Sequence, residues 1–390
     1  MVKINVGVIF GGRSVEHEIS VISALQVIHS IDRNKYNVVP VYITKQGQFY
    51  TGEALNDIQN YKDMDRLLSR CKQMVIVNHN GSRVMIEYPG SMFRKAQLGT
   101  IDVALPVVHG TNVEDGTLQG YLEMLDIPYA GCNVLSSALG MDKIVMRMVL
   151  KEAGLPVLDY VWFYAKRWFS DPDGVYEQIE SRLSYPLIVK PANSGSSIGI
   201  TTAANREELE DALDLASRFS NRIIVEHKIV NLREINCSVL GDYEKALPSV
   251  CEEPVSSEQI LSYKDKYMHE ETKGMGGAAR QLPAHIPPEK TALIQELALK
   301  TFHVLDCSGV SRIDFLIDTE TDQVYVNEIN TIPGSLSFYL WEATGKPFAE
   351  LTEDLIQLAL KRSRERANLV FSYETNILAM KGKGGAKGMK

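Results

Sequence analysis

The sequence has no C-x-x-C pair, no excess of basic charge and no long uninterrupted apolar run. Its five cysteines, Cys71, Cys132, Cys237, Cys251 and Cys307, are scattered. An odd number without pairing motifs fits small buried thiols in a reducing compartment better than a disulfide framework or a zinc cage. Lys and Arg number 41 against 49 Asp and Glu, a formal net charge of -8, so no basic field attracts nucleic acid or an anionic membrane. Nowhere do about 18 consecutive apolar residues occur, and VKINVGVIF at the N-terminus reads as a strand without a charged leader or cleavage site. These absences point to a cytoplasmic protein. What is there is an ordinary globular composition, 45% hydrophobic and 23% charged over 390 residues, enough for two or three domains.

VKINVGVIF, SVEHEISVISALQVIHSI and NVVPVYI alternate as strand, helix and strand, the opening unit of a parallel sheet in an α/β chain. IDVALPVVHG repeats the apolar strand signal, and between them QMVIVN and RVMIEY flank HNGS and predict a hairpin inserted into the first domain. DGTLQGYLEMLDIPYAG reads as helix and strand, and LSSALGMDKIVMRMVLKEAGLPV as one long helix closed by Gly154 and Pro156. YPLIVKPANSGSSIGI is strand, glycine-serine loop and strand, followed by an amphipathic helix in NREELEDALDLASRF and a strand in RIIVEHKI. From INCSVL to DQVYVNEIN the strands pair in antiparallel fashion, and NILAMKGKGGAKGMK is expected to be a disordered, solvated tail.

A dinucleotide site needs G-x-G-x-x-G so that backbone can approach a pyrophosphate at a helix N-terminus. GVIFGGRSVEHEIS, residues 7–20, lacks the third glycine and sets Glu16, His17 and Glu18 where a phosphate would sit. Capping by Ser14, with acids in the first helical turn, accounts for Glu16. Glu18 lies deeper, and an ionised carboxylate there suits the cationic amine of a small substrate. KPANSGSSIGI, residues 190–200, places Lys190 before a loop of small residues, the composition of a flap over polyphosphate; the plainer reading is a hairpin turn with an exposed lysine. In SRIDFLIDTETDQVYVNEINTIPG, residues 311–334, Asp314 and Glu328 fall on adjacent strands, and Glu328 and Asn330 are two apart and share a face. Hard oxygen ligands without histidine or cysteine suit magnesium bridging phosphates, not zinc. Arg312 shares the face of Asp314 and can stabilise anionic charge at the same spot.

EHEIS, VVHGTNVEDGTLQG, the LSSALGMDK helix, KPANSGSSIG, SYKDKY, RIDF and NEINTIPG follow in this order, and together they resemble the D-alanine–D-alanine ligase family of the ATP-grasp superfamily over residues 3 to 375. The resemblance implies a Rossmann-like N-terminal domain over 1–131, a central ATP-grasp domain over 132–226, a C-terminal ATP-grasp domain with the metal site over 227–375, and the tail from 376 to 390. It implies Lys143, Lys190 and Lys266 on the phosphates of ATP, Glu226 near the adenine, Glu234 near the ribose, and a pair of magnesium ions on Asp314, Glu328 and Asn330, with manganese as the alternative metal. Glu18 matches the acid that receives the ammonium of the first D-alanine, in a hydrogen-bonded set with Ser196 and Tyr267. His109 matches a histidine near the first substrate's carboxylate; taken alone, a strand-end histidine reads as structural. Arg312 and the backbone N–H of Gly334 match the oxyanion donors. The implied reaction phosphorylates one D-alanine to an acyl phosphate, which a second D-alanine attacks, supplying peptidoglycan precursor. The enzyme is expected to be a cytoplasmic homodimer without nucleic-acid or membrane partners.

The segment after NTIPG departs from the family. Many members continue with a serine- and histidine-containing stretch whose hydroxyl and backbone N–H bind the second substrate's carboxylate, whereas this chain reads SLSFYLWE. Tyr339 stands at the serine's place and Leu340 keeps the leucine; either the Tyr339 phenol or Ser337 is expected to take over. Lys266 and Tyr267 favour an amino-acid acceptor, which leaves D-serine as the rival of D-alanine. Ligation of other carboxylates and amines is opposed by EHEIS together with VVHG, and a non-catalytic nucleotide-binding regulator by the intact Asp314, Glu328 and Asn330. EETKGMGGAARQLPAHI is longer after Tyr267 than the pattern requires.

Overall fold

The computed structural model describes residues 3–90, 96–193, 195, 198–254 and 280–372, so the expectations for Ser196, Lys266, Tyr267 and the C-terminal tail lie outside the described residues. The first layer opens with β1 (Ile4–Gly11), α1 (His17–Ser30) and β2 (Tyr36–Ile43). It continues with β3 (Phe49–Thr51), α2 (Met64–Ser69), β4 (Lys72–His79), β5 (Ser82–Glu87), β6 (Gln97–Thr100), β7 (Val103–Val108) and α3 (Thr117–Met124). β1 lies parallel to both β2 and β7 in a seven-stranded sheet ordered β6-β5-β4-β3-β2-β1-β7. Every residue of β7 is buried, as an apolar run in a parallel strand covered on both faces must be. The expected hairpin is β4–β5, and it turns at Asn80 and Gly81 with φ of 51° and 78°, the left-handed pair that a two-residue hairpin turn requires. α1 starts later than Ser14 capping implied: its N-cap is Glu16, while Ser14 Oγ accepts the Glu16 N–H at 3.1 Å.

The expected single helix after residue 133 is two, α4 (Val134–Met141) and α5 (Lys143–Glu152). Between them Asp142 adopts extended backbone, and its Oδ1 accepts the N–H groups of Ile144 and Val145, both at 3.1 Å. A side-chain acceptor that satisfies the first free donors of a new helix starts α5 with a fresh axis. A four-stranded antiparallel sheet follows, ordered β10-β9-β11-β8. Its chain order is β8 (Tyr160–Tyr164), α6 (Ala165–Ser170), α7 (Pro172–Glu180), β9 (Leu187–Pro191), β10 (Thr201–Ala203), α8 (Arg206–Ser217) and β11 (Arg222–His227).

A third, five-stranded antiparallel sheet is ordered β14-β13-β12-β15-β16. It comprises β12 (Leu232–Gly241), β13 (Ala246–Pro254), β14 (Arg280–Gln281), α9 (Pro288–Val304), β15 (Gly309–Asp318) and β16 (Gln323–Asn330). The last described elements are α10 (Phe338–Ala343) and α11 (Phe348–Arg366). The apolar cores do not follow linear order. Met146 and Leu150 of α5 are buried with Ile235, Phe302 and Phe315 of the third sheet and α9. Trp341, Leu351, Leu355 and Ile356 of the closing helices are buried with Val8, Val27 and Val107 of the first layer.

Candidate active site

The glycine pair after β1 serves crowding: a Cβ at Gly12 would meet Val113 Cγ1 at 2.6 Å, and φ is +105° there. The turn delivers Glu16 and Glu18 in opposite directions, as residues two apart at a helix start must be. Glu18, expected to receive the amine, is exposed and paired with Lys45 at 2.5 Å. Glu16 is the buried acid. Its Oε2 lies 2.7 Å from where a Cβ would stand at Gly110 and equally close to that of Gly195, so a side chain at either position would push the carboxylate aside. The carboxylate therefore faces the glycine-serine loop of the second sheet, which is the placement expected of Glu18. His17 is structural, with Nδ1 2.7 Å from Gly12 O and Nε2 2.9 Å from Tyr42 Oη.

α5 carries Lys143 and Arg147 one turn apart on one face. Lys143 Nζ lies 3.3 Å from Glu328 Oε2 on β16. Arg147 Nε meets Glu226 Oε1 at 2.5 Å, and Lys190 Nζ, from the end of β9, meets Glu226 Oε2 at 2.6 Å. Both cations also approach Asn327 Oδ1 at 3.4 Å. Burial alone would push the Glu226 carboxyl up, but the Arg147 and Lys190 charges outweigh it and hold it below the usual range. Burial likewise depresses the Lys190 ammonium, against the pull of Glu226. Glu226 is thus the fully buried anchor of these cations. Three cations face two carboxylates here, a balance that polyphosphate oxygens would complete. Glu234 is half-buried on β12.

The third sheet lines up a transverse polar row. Glu252 on β13, Asn236 on β12, Asp314 on β15 and Glu328 on β16 are successive register partners across four strands. Asn236 Nδ2 donates to Glu252 Oε1 at 3.0 Å, Arg312 grips Asp314 through two bonds of 2.6 and 2.7 Å, and Asn330 Nδ2 donates to Asp314 Oδ2 at 3.0 Å. The expected convergence of Asp314, Glu328 and Asn330 beside Arg312 is present.

Beyond β16, the first layer clamps Ile332 at both backbone groups. Glu114 accepts its N–H at 2.8 Å and Thr331 Oγ1 at 3.3 Å, while His109 Nδ1 lies 2.9 Å from its carbonyl. Burial pushes His109 down to about 4, so the ring is neutral: Nδ1–H donates to Ile332 O, Ser23 Oγ–H donates to Nε2 at 3.1 Å, and Ser335 N–H donates to Ser23 Oγ at 3.0 Å. Burial, and then the nearby Glu16 charge, lift Glu114 to about 8. Gly334 is held between these anchors, followed by three consecutive left-handed residues, Ser335, Leu336 and Ser337, with φ of 49°, 56° and 50°. Such backbone costs about 1–2 kcal/mol per residue and persists where surroundings impose it.

The two expected acceptor groups are placed otherwise than the sequence implied. Ser337 has no exposed surface, and neither does Leu340. Tyr339 Oη–H donates to Glu252 Oε1 at 2.7 Å, and burial with the Glu252 charge raises the phenol, so its proton stays on that bond. Sequence reading missed Glu16, Glu114, Arg147 and Glu252. The spacing of Lys143 and Arg147 on one helix was a usable signal; Glu114 and Glu252 act through backbone groups and neighbours distant in sequence, which no local pattern encodes.

A family model described as D-ala D-ala ligase N-terminus matches residues 5–132, and one described as D-ala D-ala ligase C-terminus matches residues 149–357. The D-alanine–D-alanine ligase of Thermosipho melanesiensis is 41% identical over 378 residues, covering 97% of this chain and 99% of that protein. The Bacillus cytotoxicus D-alanine–D-alanine ligase is 40% identical, covering 95% and 100%. Among solved structures, the D-alanine-D-alanine ligase from Coxiella burnetii superposes with a TM-score of 0.79 at 30% identity, covering 94% of this chain and 96% of that one. The VanG D-Ala:D-Ser ligase from Enterococcus faecalis gives 0.77 at 32% identity, covering 92% and 100%.

Proposed function

This chain belongs to the D-alanine–D-alanine ligase family, with its ATP-grasp fold, and on that premise we propose that it joins two D-alanine molecules at the expense of ATP for peptidoglycan precursor synthesis. The observation that carries the reading is the Lys143–Glu328 ion pair, which joins the Lys143–Arg147–Lys190 cations to the Asp314–Glu328 pair beside Arg312, with the buried Glu16 carboxylate against the loop that follows Lys190.

Carboxylates are poor electrophiles, so one D-alanine is first converted by ATP to an acyl phosphate. Lys143 and Lys190 neutralise phosphate oxygens, with Arg147 and Glu226 fixing where Lys190 stands. Glu16 receives the first substrate's ammonium in a pocket closed by Gly110 and Gly195. The second substrate's amine, having given up a proton, then attacks the acyl carbon. The tetrahedral oxyanion is held by Arg312 and the Gly334 N–H, one such donor being typically worth about 2.7–4 kcal/mol, and it collapses by breaking the acyl C–O bond to release inorganic phosphate. His109 and Glu114 keep that N–H in place by fixing Ile332, two residues upstream. The donor set suits magnesium: Asp314, Glu328 and the Asn330 amide offer only hard oxygens. Among the described residues no group of three His, Cys, Asp or Glu stands together as a metal site, so the residues that would hold the ion are Asp314, Glu328 and Asn330. When bound, the metal would neutralise charge on the transferred phosphoryl group.

No described helix is long and apolar enough to cross a membrane. We place the enzyme in the cytoplasm as a homodimer, for which light scattering on the eluting protein is the check; a monomer at assay concentration would refute that part. The central test is ADP release by purified protein with ATP, magnesium and D-alanine, with the product identified by mass spectrometry. D-alanyl-D-alanine is expected, and Glu328→Gln should abolish ADP formation while preserving the circular dichroism spectrum. Preferential formation of D-alanyl-D-serine from mixed amino acids would overturn the acceptor assignment.

A further inference from the structure

The acceptor end of the site contains a cation that the family pattern does not explain. Arg280, on β14, stacks its guanidinium over the Tyr339 ring at 4.1 Å from the centroid, and its Nη1 lies 3.3 Å from Glu252 Oε2. Glu252 is only 3% exposed and is fixed from its other oxygen by Tyr339 Oη and Asn236 Nδ2. A buried carboxylate with these three partners and an aromatic face together hold a planar guanidinium in one orientation. Arg280 itself keeps 16% of its side chain exposed while paired to Glu252.

We propose that Arg280, oriented by Tyr339 and Glu252, binds the carboxylate of the acceptor amino acid. This rests on the ligase reading above and deepens it. Distance supports the assignment: Glu252 and Asp314 are two strands apart in the same transverse row, about 10 Å at the usual strand spacing. That span is long enough to hold both a phosphoryl group beside Asp314 and the far carboxylate of an amino acid attacking the adjoining acyl carbon, with a hydrogen-bond length left for contacts at the ends. Arg312, in the strand next to Asn236, feels the charge of Glu252 and of Tyr339, so the Arg280 cluster and the Arg312–Asp314 pair belong to one electrostatic neighbourhood. The other expected groups are committed or closed off: the Tyr339 phenol donates to Glu252, and Ser337 is fully buried. A guanidinium also matches the planar, two-oxygen geometry of a carboxylate, which a serine hydroxyl meets at one point only.

The test uses D-alaninamide, which lacks the carboxylate and can serve only as acceptor. The intact enzyme should use D-alanine as acceptor far more efficiently than D-alaninamide. Arg280→Ala should lower kcat/KM for acceptor D-alanine by about 10- to 100-fold, the range for a lost charge-assisted contact, while changing kcat/KM for D-alaninamide and KM for the donor and ATP less than about 2-fold. Arg280→Lys should recover part of the loss, and Tyr339→Phe should give a smaller loss of the same kind. An equal loss with both acceptors would make Arg280 merely structural and overturn the proposal, as would an unmutated enzyme that does not distinguish them. Absence of any dipeptide from the unmutated enzyme would instead refute the ligase reading itself.

Discussion

Two acids separated by one residue, Glu16 and Glu18, have opposite fates. Their order in the sequence does not reveal the phase of the helix they open, so the motif EHE showed that an acid is needed without showing which one. Burial decides it: Glu16 lies against Gly110 and Gly195, whereas Glu18 meets solvent and Lys45. Glu16→Gln should raise the donor KM by about 10-fold or more, as expected for loss of a charge-assisted bond. Glu18→Gln should leave kinetics unchanged and shift stability by less than about 1 kcal/mol, the scale of an exposed ion pair. Steady-state kinetics with each D-alanine site resolved distinguishes them, and the reverse pattern would restore Glu18. His109 and Glu114 should oppose one another in pH dependence. The folded His109 value, about 4, lies below its ordinary one, so its contribution is full above pH about 6.5 and is lost as pH falls through about 4. The folded Glu114 value, about 8, lies above its ordinary one, so its contribution is full below pH about 4.5 and is lost as pH rises through about 8. Urea denaturation at stepped pH should show the acid slope reduced in His109→Gln and the alkaline slope reduced in Glu114→Gln.

At the level of elements, hairpin β4–β5 was legible because Asn80-Gly81 carries its own backbone conformation, and the paired strands around Asp314 and Glu328 because alternation fixes a face. The break between α4 and α5 was not read. Gly140 stands just before it but inside α4, and Asp142, a residue that can also sit within a helix, disguises the cap. Asp142 also receives Arg222 Nη2 from β11 and Asn193 Nδ2 at 3.1 Å, so this cap joins α5 to the second sheet. Asp142→Ala should cost about 1–2 kcal/mol from the cap alone. Because α5 carries both Lys143 and Arg147, the same substitution should raise the KM for ATP more than that for D-alanine. Thermal denaturation and kinetics together check this; a stability loss without a change in nucleotide KM would separate the cap from the site. The SLSFYLWE segment was legible only as a departure, since three left-handed residues in a row without glycine have no sequence signature.

For the whole molecule, linear reading identified the strand-helix alternation and the antiparallel pairing but divided the chain into consecutive blocks. The cores are interleaved instead, because α10 and α11 return to pack on the first sheet. Apolar spacing within a helix announces a buried face without saying which layer buries it. Leu355 has 1% exposure between these layers, and Leu355→Ala should cost about 2–5 kcal/mol, lowering the melting transition of the first layer as well as of the C-terminal helices. Two well-separated transitions, with the first layer unaffected, would show that the return is only adhesive. The interleaving also sets a timetable for biosynthesis. Chains emerge from the ribosome N-terminus first, and domains generally fold as they appear. Here the opening sheet cannot complete its core until residues near 366 have emerged, so the earliest-made part of the enzyme waits, partly uncovered, for α11.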